Sequence, residues 1–293
     1  MKTGMVLVED IRIALLGLAT HKLRAGLTIL GITIGIGMVI ILLSIGDGVT
    51  HFVAEQFAGL GTNLMFITSG QEAEFSGSTL TLRDAEQLGN PTFMPGMERL
   101  APAVSRSVDV AFWGQVHQTT VEASTPAYGL TRNYNITRGR FIEEADYNGR
   151  SRVVVLGQDV VEDLFPRGID PLGNDIKIRG IAFRVIGLLE PKGAGPFGSR
   201  DDLVIVPLTT AGERLFNLQS PRDGEILVDV IWIQAVNNDV VGDLANDVST
   251  TLRQLHNINF RDEDDFILFT QQDFLSAFST ITSVLTIFLG SIA

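Results

Sequence analysis

Between Gly26 and Gly46 the chain reads GLTILGITIGIGMVIILLSIG, 21 residues without a charged side chain. A helix rises about 1.5 Å per residue, so this run crosses a hydrocarbon layer of about 30 Å. Buried helices of soluble proteins seldom extend so far without one charge. A cleaved leader has a shorter apolar region of about 7–15 residues and closes on small residues in an A-x-A-like pattern. Here Asp47-Gly48-Val49-Thr50 follows instead, so the run reads as a permanent span. His21, Lys22 and Arg24 lie just before it, while Asp47 and Glu55 follow. Basic flanks stay on the cytoplasmic side, which places the N-terminus inside and the bulk of the chain outside.

Both ends of the chain carry further membrane signals. Val8, Ile11, Leu15 and Leu18 share one helical face, with Glu9, Asp10 and Arg12 away from it. That spacing predicts an amphipathic helix at the inner interface, or else a plain cytoplasmic extension of the span. Phe274–Ala293 is again uncharged and stops without basic or aromatic anchors, as the start of an incomplete second span does. Its Ser and Thr content keeps open an amphipathic helix closing a soluble domain. The expected organisation is a cytoplasmic amphipathic helix over 1–25, transmembrane helix 1 over 26–46, an extracytoplasmic domain over 47–273 and transmembrane helix 2, incomplete, over 274–293. Inside the first span, Gly31 and Gly35 form a G-x-x-x-G step with Thr28 one turn earlier. Small residues at that spacing let helix backbones approach closely, so Thr28, Gly31 and Gly35 are the candidate helix-packing residues.

The intervening region alternates short strand-like runs with helical patterns. Val108–Phe112, Gln118–Ala123, Arg152–Leu156, Asp175–Ile178, Phe183–Leu189, Leu203–Pro207 and Glu225–Gln234 read as strands. Gln158–Leu164, Thr210–Leu215 and Val240–His256 read as helices, and Thr81 is placed to cap one that begins near Leu82. This mixture predicts an α+β domain with a mainly antiparallel sheet. The chain's formal charge of −12 gives a polyanion nothing to gain, so nucleic acid is excluded as a partner. The absence of cysteine excludes disulfides and thiolate metal sites.

No catalytic constellation is present. There is no G-x-x-x-x-G-K-[ST] phosphate loop, no G-x-S-x-G elbow and no H-E-x-x-H. His21, His51, His117 and His256 are far apart in sequence. Asp262-Glu263-Asp264-Asp265 lacks the spacing and glycine of a calcium loop and reads as a solvated acidic turn. Gly193-Ala194-Gly195-Pro196-Phe197-Gly198 reads as a flexible loop that opens no helix. No cofactor and no metal is expected, and the chain reads as a transporter part or a sensor rather than an enzyme.

In order along the chain, several segments resemble the MacB/FtsX type of ABC-transporter permease. His21–Ile32 resembles the entry to that family's first span, and Gly46-Asp47-Gly48 with Leu60-Gly61-Thr62-Asn63-Leu64 resembles its exit. Val153–Gly157, Leu164-Phe165, Asp170-Pro171-Leu172-Gly173, Phe183–Gly187 and Asp201–Leu208 resemble its periplasmic core domain. The resemblance implies a permease of four spans in a bacterial inner membrane, of which the last two are missing here. It also implies a homodimer or pairing with a related permease, a separate ABC ATPase, and contact with a periplasmic adaptor or exported cargo. The alternative is a membrane-anchored extracytoplasmic sensor or binding domain without an ATPase.

Overall fold

The computed structural model describes residues 22–58, 63–70, 79–92, 94–195, 198–220 and 224–292. The amphipathic pattern over residues 8–18 lies outside them. Two compact units emerge, one formed by Met1–Ala54 with Phe274–Ala293 and the other by Glu55–Asp273.

The first unit contains α1, which begins at Lys22 and runs to Ala58. Its stretch Lys22–Gly46 is long and apolar enough to cross a membrane. Leu27, Ile29, Leu30, Ile32, Ile34 and Ile36 on it are all exposed, so no soluble core covers them.

The second unit is built on β1 (Leu64–Ser69), β2 (Met97–Phe112), β3 (Gln115–Ser124), β4 (Ile136–Gly139), β5 (Val153–Leu156), β6 (Asp175–Ile178), β7 (Ile181–Leu189), the small hairpin β8 (Ala194–Gly195) and β9 (Gly198–Ser199), β10 (Leu203–Pro207), β11 (Val230–Ala235) and β12 (Phe266–Thr270). Between these strands lie α2 (Leu82–Leu88), α3 (Tyr128–Thr131), α4 (Glu144–Asn148), α5 (Gln158–Leu164), α6 (Leu208–Arg214) and α7 (Val241–Leu255). The chain returns to the first unit through α8, Gln271–Ile292.

The main sheet runs β12-β1-β11-β2-β3-β10-β5-β7-β4, and β6 pairs with both β2 and β7. The pairings β2–β3–β10–β5–β7–β6–β2 therefore close into a ring, which leaves those strands no open edge. The sheet is mixed, which corrects the expectation of a mainly antiparallel one: β3 with β10 and β5 with β7 run parallel. The β5–β7 pair spans the crossover that contains α5, and a parallel pair requires such a connection. Alternation sets the inner face. Ile176 and Ile178 of β6, and Ile231, Ile233 and Ala235 of β11, are buried at every second position.

Local chemistry accounts for most boundaries. The Thr81 hydroxyl accepts from the Asp84 amide at 3.2 Å, and the Thr81 amide donates to Asp84 Oδ2 at 2.8 Å. This capping box starts α2. Along α7, Leu244, Val248 and Leu252 recur every fourth residue and are buried. Trp113-Gly114 joins β2 to β3 with φ of 46° and 90°, and Arg179-Gly180 joins β6 to β7 with 50° and 84°. Two-residue loops with both φ positive match the right-handed twist of the strands they connect.

Candidate functional site

Thr28, Gly31 and Gly35 lie at i, i+3 and i+7 of α1 and so share one helical face. The Thr28 hydroxyl donates to the Arg24 carbonyl oxygen at 2.8 Å, and Thr33 does the same to Ile29. Both hydroxyls are thus satisfied within the helix, as a hydrocarbon setting requires. A methyl group added at Gly31 would meet nothing within 4 Å, and Gly35 is half-buried. Within the first unit the close helix contact falls elsewhere. Gly46 is buried, and a methyl group there would collide with the Thr282 side chain of α8. Sequence reasoning named Gly46 only within the segment Gly46-Asp47-Gly48 and not as a packing residue.

At Gly31 nothing within 4 Å blocks a further helix, and we propose that this face meets one. Replacing Gly31 and Gly35 together with leucine is expected to leave membrane insertion intact, since leucine is at least as apolar. It should remove intermolecular crosslinks between cysteines placed on this face, since close packing in such settings contributes about 1–2 kcal/mol. Crosslinking equal to the parent's would show that the face meets only lipid. Gly46→Leu is the contrasting variant, because its effect falls on the contact with α8.

The second unit holds several ion pairs around its histidines. His256 reaches Asp84 Oδ2 from Nε2 at 3.3 Å and Asp265 Oδ1 from Nδ1 at 2.8 Å. The hydrogen bond to Asp84 outweighs burial and, with Asp265, pushes His256 up to about 9. Burial alone would raise Asp84, but its hydrogen bonds with His256 and Thr81 hold it below its usual value. His117 stands between Asp163 at 3.1 Å and Asp202 at 2.8 Å. Two carboxylates of the acidic run are engaged rather than merely solvated: Asp264 pairs with Arg253 and Asp265 with His256. Among the described residues no group of His, Asp and Glu is arranged to hold a metal ion. An open cleft of about 740 Å³ is lined by Arg106, Val108, Arg179, Phe216 and Leu218. Its cations are engaged by Asp229 and by the Leu215 carbonyl oxygen. The sequence offered no cue to these pairings, which join residues far apart along the chain.

The described residues thus combine an apolar helix long enough to cross a membrane with a mixed-sheet domain. The chain belongs to the family of the MacB-like periplasmic core domain, whose model matches residues 25–251. It is 34% identical to the macrolide export ATP-binding/permease protein MacB of Azoarcus sp. strain BH72, over 98% of this chain and 42% of that protein. It is 28% identical to the pyoverdine export ATP-binding/permease protein PvdT of Pseudomonas syringae pv. tomato, again over 98% and 42%. The chain thus spans less than half the length of these relatives. In fold it is similar to the periplasmic region of MacB from Actinobacillus actinomycetemcomitans, with a TM-score of 0.60 at 20% identity, covering 78% of this chain and 97% of that one. The extracellular domain of the ABC-type transporter YknZ aligns with a TM-score of 0.56 at 15% identity, covering 71% of this chain and all of that one.

Proposed function

We propose that the chain is the permease part of an ABC-type exporter, with α1 and α8 as its first two spans. In this reading the basic flank at Lys22 and Arg24 faces the cytoplasm of a bacterial inner membrane, and residues 47–273 lie outside. ATP hydrolysis takes place outside these 293 residues, which contain no phosphate loop, and it drives motion of the outer domain. Two permeases pair in the membrane, and the outer domain meets an adaptor or the cargo. The observation that carries the proposal is the alignment of nearly the whole chain with the export permeases.

The test is reconstitution of the full-length permease with a P-loop ATPase in inverted membrane vesicles. The ATPase should bind from the exposed cytoplasmic face, and its turnover should rise in the presence of the permease. A cysteine introduced at the exposed Asn148 should stay sealed from an impermeant reagent until the vesicles are opened. An ATPase that neither binds nor changes its rate would leave an anchored binding domain as the better reading. Immediate labelling at position 148 would reverse the orientation.

A further inference from the structure

β2 has partners on both sides, but on one side the partner changes along its length. β11 covers it as far as Ala103, and β6 takes over only at Val110. The register with β3 runs unbroken between these points, so successive residues of β2 turn their backbone groups alternately toward β3 and away from it. The Ala103 carbonyl oxygen accepts from the Asp229 amide, and the Ser105 amide donates to the Asp229 carboxylate at 2.9 Å. Odd-numbered residues therefore face the gap. The Ser105 carbonyl oxygen accepts from the Arg106 guanidinium at 2.7 Å. Ser107 comes next, and among the described residues nothing bonds to its N–H or its carbonyl oxygen on this side.

The open cleft of about 740 Å³ lies on this same stretch, lined by Arg106, Ser107, Val108 and Asp109 together with Phe216 and Leu218. Its arginines are already engaged. What it offers is a strand edge beside the apolar side chains of Val108, Phe216 and Leu218, which belong to the larger core cluster.

An N–H and a C=O free on one extended residue are matched by one residue of another extended chain, which returns both bonds. Water satisfies them singly and gains nothing from the apolar wall. From Ala103 to Val110 the strand covers about 23 Å at about 3.3 Å per residue. With β11 and β6 closing its ends, the gap admits a segment of a few residues and not the edge of another sheet.

We infer that this cleft binds an extended peptide segment of a partner polypeptide, antiparallel to β2 and bonded through the Ser107 main chain. Side chains alternate along such a segment, so those flanking the bonded residue fall on the Val108 side. Apolar residues are required there, against Phe216 and Leu218. The inference does not depend on the proposed export role.

The chain has no cysteine, and Asn217 is exposed at the cleft, so Asn217→Cys carries a single environment-sensitive fluorophore. The detergent-solubilised chain is titrated with the end-blocked pentapeptide Thr-Val-Ser-Val-Thr, and with the same peptide N-methylated at its central serine. A saturable change is expected with the first. The second should bind about tenfold more weakly, since it lacks the N–H that the Ser107 carbonyl oxygen accepts. Ser107→Pro removes the chain's own donor where no strand needs it, a position at which proline is tolerated, and should weaken binding about tenfold. Ser107→Ala should retain binding, because only the main chain is used. No saturable response, equal binding of the methylated peptide, or unchanged binding in folded Ser107→Pro would overturn the inference. Should Ser107→Pro fail to fold by circular dichroism, the comparison of the two peptides decides alone.

Discussion

Gly157→Ala is expected to destabilise the Glu55–Asp273 unit by about 3 kcal/mol or more, from one added methyl group. The backbone conformation at Gly157, φ −75° and ψ 162°, suits any residue, so the cost is one of space. A Cβ there would overlap the Asp201 carbonyl oxygen and lie 3.0 Å from the Leu203 carbonyl oxygen. Neither obstacle can turn away. The Gly157 amide donates to Leu203 O at 2.9 Å, and β5 is held against β10 by the Leu156–Val204 pairing. The Asp201 carboxylate is buried and fixed by the Lys192 and Gly193 amides, each at 2.7 Å. Gly173→Ala separates this effect from ordinary strain. Gly173 has φ +77°, and a methyl group added there would meet nothing within 4 Å, so about 1–2 kcal/mol is expected from the backbone alone. Denaturant unfolding of both variants measures the difference. A loss at Gly157 no larger than that at Gly173 would mean that β5 and β10 are not packed this closely.

The same glycine shows what was legible in the sequence and what was not. Val153–Gly157 and Phe183–Gly187 stood out as family-like segments. The structure supplies their physical reason, since Gly187 likewise lies against the Arg140 carbonyl oxygen. Elements defined by local rules were readable: α5 by its flanks, α7 by its four-residue apolar spacing, and the start of α2 by Thr81. Strand partners were not, because alternation reports a buried face and not the neighbour. The closed ring and the parallel pairs therefore stayed hidden. Residues 97–107 were missed as strand because Pro102 and the charged Glu98, Arg99 and Arg106 interrupt the pattern, although Met97–Phe112 forms one continuous β2. The glycine face of α1 was visible as spacing. The contact at Gly46 depends on Thr282, more than 200 residues away, which no local pattern encodes. Arg132 over Trp232 is separated in the same way, by a whole run of strands.

Stability of the Glu55–Asp273 unit should fall as pH rises from about 6.5 and level off above about 9, through His256. Its imidazolium is held between Asp84 and Asp265, so the folded state keeps the proton after the unfolded chain has released it. A group raised in this sense contributes fully below its unfolded value of about 6.5, and the contribution is gone once the folded state also deprotonates. Asp84 behaves oppositely. Held below 3.8 in the folded state, it contributes above that value and loses its contribution as the pH falls through the lowered one. The expected loss on the alkaline side is about 1–2 kcal/mol, less than full conversion of the shift, because Asp265 reaches solvent and screening weakens the pair. Lys192 titrates near 8 in the same window, so a parent curve alone cannot assign the slope. His256→Gln removes the titration while keeping a side chain able to hydrogen-bond, and subtracting its pH profile from the parent's isolates the histidine. Three elements meet at this residue: the capped start of α2 at Asp84, the end of α7, and Asp265 at the entry to β12. Amide exchange should therefore accelerate at all three on the alkaline side in the parent. If the difference curve is flat between pH 6.5 and 9, His256 is not held as an imidazolium, and the junction must be maintained by packing of Phe266 and its neighbours instead.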